Sequence, residues 1–284
     1  MSTDGGALAV DVRLPITAPP SPPPWPYLLV HGSMDRATSF RRLQARLPEA
    51  TIISYDRRGY AGSGGRPTTD TFSDQVADLF EVLDDRPVVA LGHSFGGGVV
   101  LAAAALHPEL IRAAVIWEPP MPWLASWQTG SAGAAAISSS DDPAEVAESF
   151  MRRMIGSHIW ERLPPATREA RRGEGPALVT EIHSLRNSTG WDPAAITIPV
   201  IVGSGGKSRD HQQRAAAELA RSLPDAELVV LADSGHGAHL SHPGPLADLL
   251  RRAMAQATTR AGVGRDDEAA ASSKFPPLAE ENPA

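Results

Sequence analysis

The sequence predicts an α/β fold, a mostly parallel sheet with helices on both faces. Short apolar runs alternate with helical segments in both halves of the chain, the pattern of strand–helix–strand units. Polar residues able to do chemistry stand just past several of those runs, at His31, Asp56, Ser94 and Glu118, where open parallel sheets collect their sites. One run, residues 88–91, passes through Gly92-His93-Ser94-Phe95-Gly96 into an apolar, alanine-rich stretch. That reads as strand, tight turn and buried helix.

The chain has 284 residues and is 42% apolar, enough for a sizeable core. Its net charge of −7 disfavours nucleic acid or an anionic membrane as a partner. With no cysteine, disulfides, thiolate metal sites and a cysteine nucleophile are excluded, and a reducing cytoplasm is the expected setting. No basic, apolar leader opens the sequence, and no run approaches eighteen apolar residues, so neither a signal peptide nor a membrane span is expected.

Residues 7–14 read as a first strand, followed by the stiff proline run 19–24. Residues 27–30 form the second strand, 37–47 a helix and 51–55 the third strand. A helix over 71–83 places Phe72, Val76, Leu79, Phe80 and Leu83 at helical spacing. Strands are expected again at 113–117, 198–202 and 227–231, with helices at 211–223 and 246–255. Residues 119–192 break the rhythm, with helices at 145–155, 166–172 and 177–185 and four tryptophans. The expected organisation is a core of 1–118 and 193–257, an inserted helical cap at 119–192, and a disordered tail over 258–284, poor in apolar residues.

The pentapeptide around Ser94 is a G-x-S-x-G set between strand and helix, the context of a nucleophile elbow. The turn is so tight that side chains two residues away would collide, hence the glycines. It holds the serine hydroxyl out at the top of a sheet, over a helix N-terminus that favours negative charge. Serine needs a base, an acid to orient the base, and donors for the oxyanion. His236 follows the last strand in Gly235-His236 and is the base of choice, with His239 and His242 as rivals. His93 is expected to point away from the site, His107 to be structural, and His158 and His183 to lie in the cap. The oxyanion donors are backbone N–H groups of Phe95 and of the turn after His31-Gly32, Ser33 first and Met34 second.

With His31-Gly32, Asp56-Arg57-Arg58-Gly59, Gly92-His93-Ser94-Phe95-Gly96 and Gly235-His236 in this order, the chain resembles the α/β-hydrolase superfamily over residues 7–256. It resembles the serine-nucleophile branch with a helical cap. The resemblance implies a mostly parallel eight-stranded sheet, a structural role for Asp56, and the order nucleophile, acid, histidine. Ala61 stands where the family commonly has glycine. The family most often sets its acid after the strand ending at Val202, but residues 204–206 hold none. Glu118, ending the strand after the elbow helix, is the preferred acid, a position that haloalkane dehalogenases also use. Asp210 is the alternative, and a helix N-cap its structural explanation.

A serine nucleophile argues against dehalogenase and epoxide hydrolase chemistry. No cluster at metal-ligand spacing and no dinucleotide fingerprint is evident, so no cofactor is expected. The expected activity is hydrolysis of a small to medium, largely apolar carboxylic ester, a small-molecule substrate, through an acyl-enzyme. Trp123, Trp127, His158 and Trp160 are candidates for the substrate pocket. Amide, thioester, lactone or C–C bond cleavage, acyl transfer, and a non-catalytic ligand-binding role remain alternatives.

Overall fold

The computed structural model describes residues 6–18, 21–68, 72–125, 127, 131–187 and 190–272, without the side chains of 187 and 263–272. Seven strands form one sheet: β1 (Val10–Arg13), β2 (Tyr27–Val30), β3 (Ile52–Tyr55), β4 (Val88–His93), β5 (Ile111–Trp117), β6 (Val200–Gly205) and β7 (Ala226–Leu231). Their order across the sheet is β1-β3-β2-β4-β5-β6-β7. Only β1 runs antiparallel, on β3.

All seven sequence-expected strands form, but the eighth that the resemblance implied is absent among the described residues. Pro15, Pro22, Pro23, Pro24 and Pro26 fill the stretch between β1 and β2, and proline has no N–H to give a ladder. Residues 19–20 of that stretch, residue 71 of the expected helix 71–83, and residues 273–284 of the expected tail lie outside the described residues.

The central strands are buried on both faces, and alternation sorts their side chains. Leu28, Val30, Val88, Ala90, Ala114, Ile116, Val200 and Val202 face one core. That core is closed by helices α2 (Phe72–Leu83), α3 (Phe95–Leu106) and α9 (Asp210–Ser222). Tyr27, Leu29, Val89, Leu91, Val115, Trp117 and Ile201 face the other, covered by α1 (Arg41–Gln44), α10 (Ala238–Ser241) and α11 (Pro243–Ser272). The helix expected over 37–47 is shorter, a 3₁₀ turn at Ala37–Phe40 leading into α1.

Between β5 and β6 the chain forms α4 (Ala132–Ile137), α5 (Pro143–Ile155), α6 (Ser157–Arg162), α7 (Pro165–Gly173) and α8 (Gly175–Asn187). Their own core, around Val146, Phe150, Trp160 and Leu178, closes over Met34 and Tyr60 of the sheet's loops. The tail differs from expectation, because α11 continues through Ser272 rather than ending near residue 255. Buried Ala257 and the Arg260–Asp225 ion pair at 2.9 Å carry it on.

Candidate active site

The carboxyl ends of the strands converge on one cavity of about 590 Å³. Ser94 stands between β4 and α3 with φ +52° and ψ −124°, a conformation that costs energy in a residue with a side chain. Two bonds brace it: Ser94 N–H donates to Trp117 O at 2.8 Å, and Gly97 N–H donates to Ser94 O at 2.8 Å. The flanking glycines are there for space. A Cβ on Gly92 would stand 2.5 Å from Gly97 Cα, and one on Gly96 2.6 Å from His31 O.

His236 follows β7, and its carbonyl is clamped from below. Trp117 Nε1–H donates to it at 3.0 Å and His93 Nε2–H at 2.9 Å. His93 therefore does not point away from the site, as expected from sequence, but supports His236 and lines the cavity. Burial, then neighbouring His239 and His236, holds His93 well below the usual imidazole range, so it stays neutral and donates through Nε2.

The imidazole of His236 meets Glu118, with Nδ1 2.8 Å from Oε2. Gln212 Nε2 lies 3.0 Å from the same nitrogen. Both Gln212 Nε2 and a protonated Nδ1 are donors, so the bond goes to the carboxylate. In the neutral imidazole this tautomer leaves Nε2 as the acceptor. Among the described residues no hydrogen bond joins Ser94 Oγ to His236 Nε2; such contacts commonly tighten only when substrate binds.

Glu118 has a fully buried side chain and sits at φ +46°. Its second oxygen accepts from Ser204 Oγ at 2.9 Å and Gly205 N–H at 2.8 Å. Burial acts to raise the carboxyl, but the bond and charge of His236 and the Gly205 N–H outweigh it, so its pKa is lowered. The end of β6, where the resemblance puts the acid, thus supplies donors to an acid one strand away. No side chain fits at 205 or 206: a Cβ on Gly206 would stand 2.5 Å from Ala232 O, and one on Gly205 2.8 Å from Gly235 Cα. Asp210 is largely exposed, 3.4 Å from Arg214, and occupies the first turn of α9 rather than its cap, which is Arg209.

Ser33 and Phe95 line the cavity, and Met34 is buried outside its wall at φ +57°. Ser33 Oγ donates to Glu181 Oε2 at 2.6 Å, and Tyr60 Oη–H to the same oxygen at 2.8 Å. Arg57, fully buried, pairs with Glu181 Oε1 and donates through Nε to His31 O at 2.8 Å. Sequence gave no sign of Glu181, a carboxylate of α8 holding the turn after β2. Asp56 accepts from Ala37 N–H at 2.8 Å and Gly62 N–H at 2.9 Å, shaping its loop.

Of the four pocket candidates only Trp127 lines the cavity, its ring edge-on to His211 at 4.8 Å. Trp123 packs on Trp191 at 5.2 Å, Trp160 is buried within the insertion, and His158 is exposed on α6. A helical register says which residues share a face, not which face meets the cavity. His242 is half-buried and His183 is exposed on α8. His239 is buried with Nε2 3.3 Å from Asp35 Oδ2, and with His93 these make a cluster of donor atoms within 4.8 Å of one another. Sequence spacing could not reveal it, since the three residues come from the loop after β2, the end of β4 and α10.

His31 is neutral as well. Burial, then the Arg57 charge, pushes its pKa down from 6.5 to about 3, while its Nε2 accepts Arg57 N–H at 2.9 Å. The unfolded chain takes up this proton more readily, so the stability is complete above pH 6.5 and is lost as pH falls toward 3. At about 1.36 kcal/mol per unit, His31 alone should cost about 2 kcal/mol between pH 6.5 and 5. Urea unfolding at both pH values, compared with His31→Gln, measures it; an identical pH slope in the variant would contradict the assignment.

The family model of the alpha/beta hydrolase family matches residues 27–249, and the chain belongs to that family, a class of hydrolases. LipV, a lipase of Mycobacterium tuberculosis, is 29% identical over 180 residues, 62% of this chain and 63% of that protein. The chain thus spans less than two thirds of that lipase. The 2-hydroxymuconate semialdehyde hydrolase of Pseudomonas putida is 25% identical over 263 residues, 82% of this chain and 88% of that one. A thermophilic esterase from Thermogutta terrifontis shares the fold at TM-score 0.63 and 22% identity, over 88% of this chain and 93% of that one. Among the described residues no helix is long and apolar enough to cross a membrane.

Proposed function

We propose that the chain is a serine hydrolase that cleaves a carboxylic ester through an acyl-enzyme. The observation that carries this reading is the 2.8 Å contact of His236 with Glu118 on a cavity wall that also holds the strained Ser94. Ser94 Oγ attacks the carbonyl carbon and its proton passes to His236 Nε2. Glu118 fixes the tautomer and stabilises the imidazolium. The N–H groups of Phe95 and Ser33 hold the oxyanion, a contribution of about 3–4 kcal/mol per donor in other enzymes. The C–O bond breaks, and His236 protonates the departing alcohol. Water then gives a proton to His236 and attacks the acyl group, releasing the acid and restoring Ser94.

The apolar wall of Phe150, Leu178, Ile182 and Leu185 supports a substrate with an apolar body. A small-molecule substrate, no nucleic-acid or membrane partner, and a cytoplasmic setting belong to the same proposal. A fluorophosphonate probe tests it. Labelling is expected in the native chain and lost in Ser94→Ala, with p-nitrophenyl ester turnover lost in parallel. An unreactive Ser94 would mean a ligand-binding protein instead.

A further inference from the structure

The chain is acidic overall, with 33 Asp and Glu against 26 Lys and Arg, yet its cavity is cationic. Arg153, Arg186, Lys207 and Arg209 line it, and among the described residues the only carboxylate in its wall, Glu118, is committed to His236. The cations arrive from two sides. Arg153 and Arg186 come from α5 and α8 of the insertion, Lys207 and Arg209 from the loop between β6 and α9.

Among the described residues, most arginines of the insertion outside the cavity are paired with a carboxylate, Arg162 being the exception. Arg152, Arg168, Arg171 and Arg172 each hold a glutamate at 3.1 Å or less. Among the described residues Arg153, Arg186 and Arg209 have no carboxylate partner, and Lys207 touches only the exposed Asp233, at 3.3 Å. One further polar atom in the wall, His211 Nδ1, is buried without a hydrogen-bond partner among the described residues, and His211 is 4% exposed. The four cations are exposed, so solvent screens much of their mutual repulsion; an anion among them would relieve the rest, and arginine is suited to bidentate capture of a carboxylate.

We infer that the ester this cavity takes carries a carboxylate, held by the arginines of the insertion and of the loop before α9, while the apolar wall holds its carbon chain. This names the substrate class of the hydrolase proposed above and rests on that reading. The reaction is unchanged; the anion positions the ester and is not consumed.

Two matched ester pairs test it. One places the charge on the acyl side, 4-nitrophenyl hemiadipate against 4-nitrophenyl hexanoate. The other places it on the leaving group, 4-(butanoyloxy)benzoate against phenyl butyrate. In at least one pair kcat/KM is expected to favour the anionic ester by about tenfold or more at low salt, and the advantage to shrink as salt screens the charges. In Arg153→Gln/Arg186→Gln/Arg209→Gln, with folding checked by melting temperature, the anionic-to-neutral ratio should fall toward one. Binding is read separately from turnover in Ser94→Ala: adipate, but not hexane-1,6-diol at matched ionic strength, should raise the melting temperature, and the triple change should abolish the shift. Turnover of neutral and anionic esters alike, with no adipate shift, would overturn the inference and leave the hydrolase standing. An adipate shift without turnover of any ester would sink the hydrolase reading and keep the anion site.

Discussion

Glu118→Gln is expected to lower kcat by about 10³–10⁴-fold, or about 4–5.5 kcal/mol of barrier, with the fold intact. The size follows from the two oxygens being unlike. Oε1 receives two donors, Ser204 Oγ and the Gly205 N–H. A glutamine at 118 would keep its carbonyl there, because an amide nitrogen has nothing to accept with. Its NH₂ group would then face His236 Nδ1 as a donor and pull the imidazole into the opposite tautomer. With the proton on Nε2, His236 has no lone pair for the serine hydroxyl. Single-turnover ester hydrolysis, with Asp210→Asn as the partner measurement, is the check. Asp210→Asn should stay within about twofold, since Asp210 is exposed and pairs only with Arg214. If Asp210→Asn were the crippled variant, Glu118 would not be the acid.

Glu181→Ala is expected to cost about 3–5 kcal/mol of stability, the usual consequence of leaving one member of a buried pair uncompensated. Arg57 has no exposed side-chain surface and Glu181 has 3%. The alanine would strand the guanidinium and release Ser33 Oγ and the Tyr60 hydroxyl together. For a chain of this size the melting temperature should fall by roughly 6–20 °C. A double change, Arg57→Met with Glu181→Met, should recover part of that loss, because it removes the buried charge and fills the space. A single and a double variant that melt alike would show that the charge is not the cause.

The sequence made the sheet legible because strands buried on both faces announce themselves as short apolar runs, as at Leu28-Leu29-Val30 and Val88-Val89-Ala90-Leu91. The Ser94 turn was legible for a related reason: its glycines are local, required by backbones that pass within contact of each other. Glu118 could be singled out because the loop after β6 lacked an acid. What stayed hidden depends on partners far apart in the chain. Ser33 and Glu181 are 148 residues apart, and Arg57 and Glu181 are 124 apart. Nothing near any of them signals the pairing. The facing of Trp123 and Trp160 away from the cavity was hidden likewise, since it is set by how whole helices dock. The continuation of α11 past residue 257 was masked by a composition that suits a solvated tail.

The Glu181 contacts also bear on how this chain divides. By sequence, residues 119–192 are one insertion that could be cut out at its ends. By energy, the division runs elsewhere. Glu181 lies in the insertion but neutralises a core arginine and props the loop after β2. Excising the segment would leave the remaining sheet with a buried, unanswered charge, so the core of this chain is not self-sufficient without α8. Loop grafts or exchanges between relatives should therefore take α8 with the sheet and treat only the helices before it as replaceable.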